Sequence, residues 1–284
     1  MVVRILSKSF LMLFFLSLVV SCMDGNREAK PSSIGQPYKV VLMGDTDSIL
    51  TDILQTDVPG LPQPEPMFHV LRVKKGKAES LYQTMRNRIW VDVNPHHKNF
   101  EVKMKQDVKA CPQICIYVKA QTVAQLKNRL DGDKLRTILD QSELKHLAQV
   151  IKQNPEKQEV VRKMFGINMK IPFGMDASKN APNFLWLSNN TNTGMQNLLF
   201  LKAKHERGVD EMLRKNIKGE TDSMYMVIPK LQERGLWEMK GDAMGGPYVM
   251  KRKGNVVIIG FVYAPEMKKR NLMKQLEAVI NTIK

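Results

Sequence analysis

Asp242 is the acid whose neighbours best suit chemistry in this chain. It lies in Gly241-Asp242-Ala243-Met244-Gly245-Gly246-Pro247-Tyr248, just after Gly235-Leu236-Trp237-Glu238-Met239. Glycines supply backbone angles that a side chain forbids, and their bare amides can approach a ligand closely. On that reading Trp237, Gly241, Asp242, Gly245, Gly246 and Pro247 form a ligand or partner loop, with Asp242 as base or cation ligand. The other reading is a demanding hairpin packed by Trp237, Met239 and Met244. Gly245-Gly246-Pro247 would then be its turn, with Pro247 opening a strand. The string lacks the Gly-Lys-Ser/Thr ending of a phosphate loop.

The histidines that could serve Asp242 are scattered. His96 and His97 follow Pro95 in a loop and read as a solvated pair, since adjacent strand residues point to opposite faces. His69 falls in a strand, His146 on a helix and His205 in a basic turn. No G-x-S-x-G, H-E-x-x-H or C-x-x-C string is present. Catalytic sets assemble in three dimensions, so an envelope hydrolase using Asp242 and a histidine stands as the alternative to a non-catalytic binding module. Cys111 and Cys115 are one residue too far apart for a redox pair. In an extended segment their backbones are about 13 Å apart at 3.3 Å per residue, beyond the roughly 7 Å a disulfide tolerates. A turn at Pro112 could close that gap, and two small buried hydrophobes is the simpler reading. With no histidine or acid at ligand spacing, neither a metal nor a cofactor is implied.

Cys22 carries a different chemistry. Arg4 and Lys8 make a basic leader, Phe10 to Val20 an apolar run, and Ser21 a small residue before the thiol. These are the parts of a secretory signal peptide. Val19-Val20-Ser21-Cys22 also resembles a bacterial lipoprotein signal, the lipobox. The resemblance implies a thiol that is acylated, becomes the new N-terminus and enters the lipid bilayer. A bilayer span needs about 20 apolar residues, and this run has roughly half, so an uncleaved anchor is not expected. Residues 1–21 are thus read as signal peptide and residues 22–36 as a lipidated N-terminus and polar tether. The expected location is the cell envelope, facing the periplasm or the cell surface.

Removing residues 1–21 takes away Arg4 and Lys8, so the formal charge falls by two from +16. The charge is scattered, and no arginine run interleaves with aromatics as a single-strand binder needs. Nucleic acid is therefore not an expected partner. The basic surface is either simply solvated or drawn to anionic headgroups and envelope polymers. An unknown envelope protein or polymer is the expected partner, and the 19 methionines could give an adaptable contact surface.

The elements behind these residues read as α+β, with an antiparallel or mixed sheet and helices packed on one face. Residues 37–155 make one α+β half and 156–284 a second. Strands are expected over 38–43, 67–73, 88–93, 100–108 and 113–118, and helices over 122–130 and 135–152. Four prolines between Val58 and Pro66 exclude helix and central strand there. In the second half a helix runs to Phe165, and strands are expected at 168–172, 184–188, 197–204, 236–240, 248–251 and 255–263. A helix over 267–283 closes the chain. Residues 115–120 with 122–130 echo residues 259–264 with 268–280, each a strand ending in alanine before a basic helix. Duplication of one α+β unit and chance similarity between two strand–helix joints both account for this echo.

Three features together resemble an uncharacterised family of Bacteroidota lipoproteins, a domain of unknown function. They are the lipobox Cys22, Pro59-Gly60-Leu61-Pro62-Gln63 with Glu65-Pro66, and the Trp-x-Met-x-Gly-Asp-x-Met-Gly-Gly-Pro string from Trp237 to Pro247. The stretch from Phe261 to Pro265 and that from Lys269 to Glu277 fit the same pattern. The resemblance spans nearly the whole chain. It implies a location and no activity.

Overall fold

Val40 to Met43 are four apolar residues in succession, and all four are buried. A strand buried on both faces belongs inside a parallel arrangement, where each face has its own cover. In the computed structural model this segment is β1 (Lys39–Met43), the second strand of a five-stranded sheet. The structure describes residues 29–284 apart from 46, 75, 77, 177, 178, 190, 192 and 193. The leader, Cys22 and the start of the tether lie outside the described residues. Ser32–Lys284 forms one unit.

The first half continues with α1 (Ile49–Leu54), β2 (His69–Val73), α2 (Ala78–Leu81), β3 (Asn87–Val93), β4 (Glu101–Gln106) and β5 (Ile114–Ala120). It ends in α3 (Val123–Arg129) and α4 (Gly132–Val150). The strand order is β2-β1-β3-β5-β4, parallel except for β4, which pairs antiparallel with β5 at the edge. Val40, Leu42, Ile89, Ile116 and Val118 form a core with Leu50, Leu126, Leu139 and Leu147 from the helices. Val41, Met43, Val73 and Met85 form a smaller cluster; because side chains alternate along a strand, it lies on the other face. Asp131 starts α4 by accepting from the Lys134 amide, the usual way a helix start is satisfied.

The second half opens with α5 (Pro155–Phe165). Asn154 caps it, Pro155 fits the first helical position, and Gly166 ends it with φ at +69°. It is therefore a separate helix and not a continuation of α4. Then come β6 (Lys179–Ala181), β7 (Phe184–Asn189), β8 (Met195–Lys202) and α6 (Glu206–Asn216). The chain closes with β9 (Tyr225–Val227), β10 (Arg234–Lys240), β11 (Gly245–Lys253), β12 (Val256–Tyr263) and α7 (Arg270–Ile280). The second sheet, β6-β7-β8-β12-β11-β10-β9, is antiparallel throughout. Leu276 and Val279 of α7 pack with Leu198, Phe200 and Ile258. Val209 and Leu213 of α6 pack with Leu199, Val257 and Ile259 on the opposite face. Residues 168–172 are not a strand: Pro172 makes one isolated bridge to Gln153. Their alternation is real, since Met169 and Ile171 are buried, but it serves packing without a ladder.

The fold is thus α+β, with a mixed sheet in one half and an antiparallel sheet in the other. The echoed joints differ in setting. β5 has one parallel neighbour and one antiparallel, whereas both neighbours of β12 are antiparallel. The halves meet where α4 packs on α7, and Ala278 of α7 enters the first half's core. Among the described residues no helix is long and apolar enough to cross a membrane.

Candidate functional site

The glycine-rich string is a hairpin whose turn is Gly241 to Met244. Gly245, Gly246 and Pro247 are already inside β11, paired with Glu238, Trp237 and Leu236 of β10. The turn therefore comes earlier than the sequence reading placed it. The β11–β12 ladder begins with Tyr248 and Phe261, so Pro247 stands just beyond its end, where its missing N–H breaks no ladder. One register step further, the Val262 carbonyl accepts from Trp237 Nε1 at 3.1 Å. Gly246 makes this possible, because a Cβ there would sit 2.1 Å from the same oxygen. Trp237 is buried and meets Phe261 edge-on, with ring centroids 5.0 Å apart. Trp237, Gly245, Gly246 and Pro247 thus serve the joint between strands.

Asp242 is exposed in that turn, and its Oδ1 accepts from the Ala243 amide at 2.6 Å. Its amide donates to the Met239 carbonyl, and Gly241 takes the positive φ of +81° that the turn requires. Asp242 caps its own turn, and no described hydrogen bond joins it to a histidine.

The histidines stay apart. His97 Nε2 is 2.8 Å from Asp92 Oδ2 beside the end of β3, and His205 stands at the N-cap position of α6 without a side-chain cap. His69 lies exposed on β2. His146 is half-buried on α4, where Arg86 Nη1 donates to its Nε2 at 3.1 Å. An arginine can only donate, so that nitrogen carries the lone pair and the ring is neutral. Burial, then the Arg86 charge, hold its pKa below the ordinary histidine range.

Neither Cys111 nor Cys115 is in a disulfide. Cys115 is buried in β5, and burial pushes its pKa up. Cys111 is exposed, which departs from the pair of buried hydrophobes expected from sequence. Among the described residues no cluster of three His, Cys, Asp or Glu side chains could hold a metal.

Cys111 lies in a cleft of about 410 Å³ between the β4–β5 hairpin and α4. Met104, Ile114 and Ile138 give it apolar lining, and Gln141, Ser142, Lys145 and Gln149 line its helical side. These α4 positions recur every three to four residues and share one helix face with Ile138. Among the described residues the side chains of Gln141, Lys145 and Gln149 enter no hydrogen bond or ion pair. The cleft thus combines an apolar base with uncommitted polar groups, the composition of a binding site. A helix over 135–152 is expected from the sequence, which singles out none of these residues. A smaller, largely apolar groove of about 260 Å³ lies where α4 ends against α7, lined by Val150, Phe173 and Val279.

Behind the cleft, α4 is held by buried charge. Glu143 is fully buried and accepts from Arg86 Nε at 2.6 Å, Asn87 Nδ2 at 2.6 Å and the Tyr38 amide at 3.0 Å. Toward α7, Asp140 accepts from the Tyr38 hydroxyl at 2.6 Å and faces Lys274 Nζ at 2.7 Å. Burial first, then the neighbouring carboxylates, raise the Tyr38 pKa. One wall of the cleft is therefore rigidly placed.

No curated protein matches the chain. A crystal structure from Bacteroides thetaiotaomicron VPI-5482, solved at 1.50 Å, is similar at 17% identity with a TM-score of 0.24. The match covers 42% of this chain and 44% of that one, so the chain spans less than half of that structure's length. Residues 33–152 match the model of a domain of unknown function, DUF8532, and residues 154–282 match that of a second domain of unknown function, DUF4837.

Proposed function

We propose that the chain is a membrane-anchored envelope lipoprotein whose folded body is a non-catalytic binding module. The anchor rests on the leader and on Cys22 after Ser21, where acylation would place the protein in the envelope, facing the periplasm or cell surface. One acyl chain holds a membrane only marginally, whereas several hold it firmly.

The observation that carries the binding role is the cleft beside α4, an apolar base under polar groups that the fold leaves unused. The partner is an envelope protein or polymer. The hydrolase alternative needs a histidine beside Asp242, and that carboxylate is engaged by the Ala243 amide instead.

Metabolic labelling with a fatty-acid analogue tests the anchor. The wild-type chain should take up label and fractionate with membranes, and Cys22→Ser should lose both properties and keep the leader. An unlabelled wild-type chain, or a Cys22→Ser chain unchanged in size and fractionation, overturns the anchor. Crosslinking in native membranes followed by mass spectrometry tests the binding role, which falls if the body crosslinks to nothing.

A further inference from the structure

We propose that the free edge of β4 takes up an extended acidic peptide segment of a partner protein as an added strand, seated in the cleft against α4. The proposal rests on the binding-module reading and names its site and ligand chemistry. β4 ends the first sheet and pairs only with β5 among the described strands. Every second residue of such a strand turns its N–H and C=O outward, a template for another strand.

The side chains of β4 say what that strand should carry. Val102 pairs with Val118 and Met104 with Ile116, so both lie on the face that α4 covers further in. Yet they are 47% and 48% exposed, because the helix layer stops short of the edge. A peptide strand there would turn alternate side chains onto Met104, Ile114 and Ile138, and these should be apolar.

The intervening side chains would meet the other face, which presents Lys103 and Lys105. Glu101 partners Lys103 at 2.6 Å, while Lys105 reaches over the Tyr117 ring, 5.8 Å from its centroid. Lys145 of α4 lies on the opposite side of the sheet, beside Met104 and Ile138, so the charge that selects the intervening residues comes from Lys103 and Lys105. Lysines on an edge discourage pairing with a like edge, since a second copy of β4 would bring lysines against lysines. The same charges favour a strand whose outward residues are acidic. Charge therefore selects an alternating apolar and acidic segment over a second copy of this chain.

The probe is a fluorescein-labelled octapeptide alternating valine and glutamate, titrated into the full-length chain in detergent micelles and read by anisotropy. Saturable binding is expected, weakened at least about tenfold by Lys103→Glu with Lys105→Glu, or by N-methylation of alternate peptide amides. All these changes leave the fold's core untouched, because the two lysines are exposed. Hydrogen exchange should show new protection within residues 101–106 when the peptide binds. No saturable binding up to about 1 mM, equal binding of the N-methylated peptide, or protection elsewhere overturns the proposal. Dimers that protect residues 101–106 without peptide overturn it in favour of a second copy. A partner crosslinked in native membranes away from residues 101–106 overturns it too, and leaves the binding-module reading standing.

Discussion

Arg86 Nε lies 2.6 Å from Glu143 Oε1, and solvent reaches only 5% of the arginine side chain and none of the glutamate. This pair ties β3's approach to the middle of α4, 57 residues later. Removing one partner of a buried pair leaves the other charge uncompensated and costs about 3–5 kcal/mol. Arg86→Met should therefore lower the urea midpoint steeply. Arg86→Met with Glu143→Leu should cost less than the sum of the single changes, because no lone charge remains. Strictly additive losses in urea denaturation would show that the two side chains do not act as a pair.

Glu65 holds α7 from a distance. Its Oε1 accepts from the Lys269 amide at 2.6 Å and its Oε2 from the Arg270 amide at 3.1 Å, across 204 and 205 residues. A helix start leaves amides without partners, and an acid there also suits the helix dipole. The proline-rich segment thus serves as a rigid arm carrying a cap, and Arg270 Nη1 returns a bond to the Pro66 carbonyl at 2.6 Å. Glu65→Ala should cost about 1–2 kcal/mol, with faster amide exchange in the first turn of α7. Glu65→Gln keeps an acceptor and should cost less. Unchanged exchange in that turn for Glu65→Ala would remove the capping role.

The legible parts of the fold are those whose pattern is local. Val256 to Phe261 can be read as a buried strand, and Met273, Leu276 and Val279 as a helix face, because each signal fits within a few residues. The three-residue strands β6 and β9 carry no such signal, and only the ladders to β7 and β10 make them strands. Asn168 to Pro172 shows the converse, an alternating pattern that makes one isolated bridge and no ladder. The site behaved likewise. Gln141, Lys145 and Gln149 look like an ordinary wet helix face, and they become a cleft wall only because β4 falls at the sheet edge. Strand order is non-local, so no window of sequence around α4 contains it.

Gly246 and Asp242 should separate structure from function in the hairpin. A Cβ at Gly246 would meet the Val262 oxygen at 2.1 Å, so Gly246→Ala must push two strands apart. The expected cost exceeds about 3 kcal/mol, in the range reserved for named steric or burial faults. Trp237→Phe strands the Val262 carbonyl and should cost about 1–3 kcal/mol. Asp242→Asn, on an exposed side chain, should stay within about 0.5 kcal/mol. Thermal unfolding of the three variants gives the order directly. A large loss from Asp242→Asn with a tolerated Gly246→Ala would reverse this account of the string.

His146 should make stability fall on acidification. Its folded pKa lies below the ordinary histidine value because burial and Arg86 both oppose a second charge. The unfolded chain therefore takes up a proton first, at about pH 6.5, and stability declines from there down to the depressed folded pKa. Above that window His146 is neutral in both states and contributes no slope. His146→Gln keeps an oxygen able to accept from Arg86 and has nothing to titrate. Urea midpoints measured between about pH 8 and pH 5 should therefore fall less for His146→Gln than for the wild type, with the difference opening below about pH 6.5. Parallel curves for the two proteins would mean that folding leaves the pKa of the ring unchanged, and that Arg86 does not donate to it.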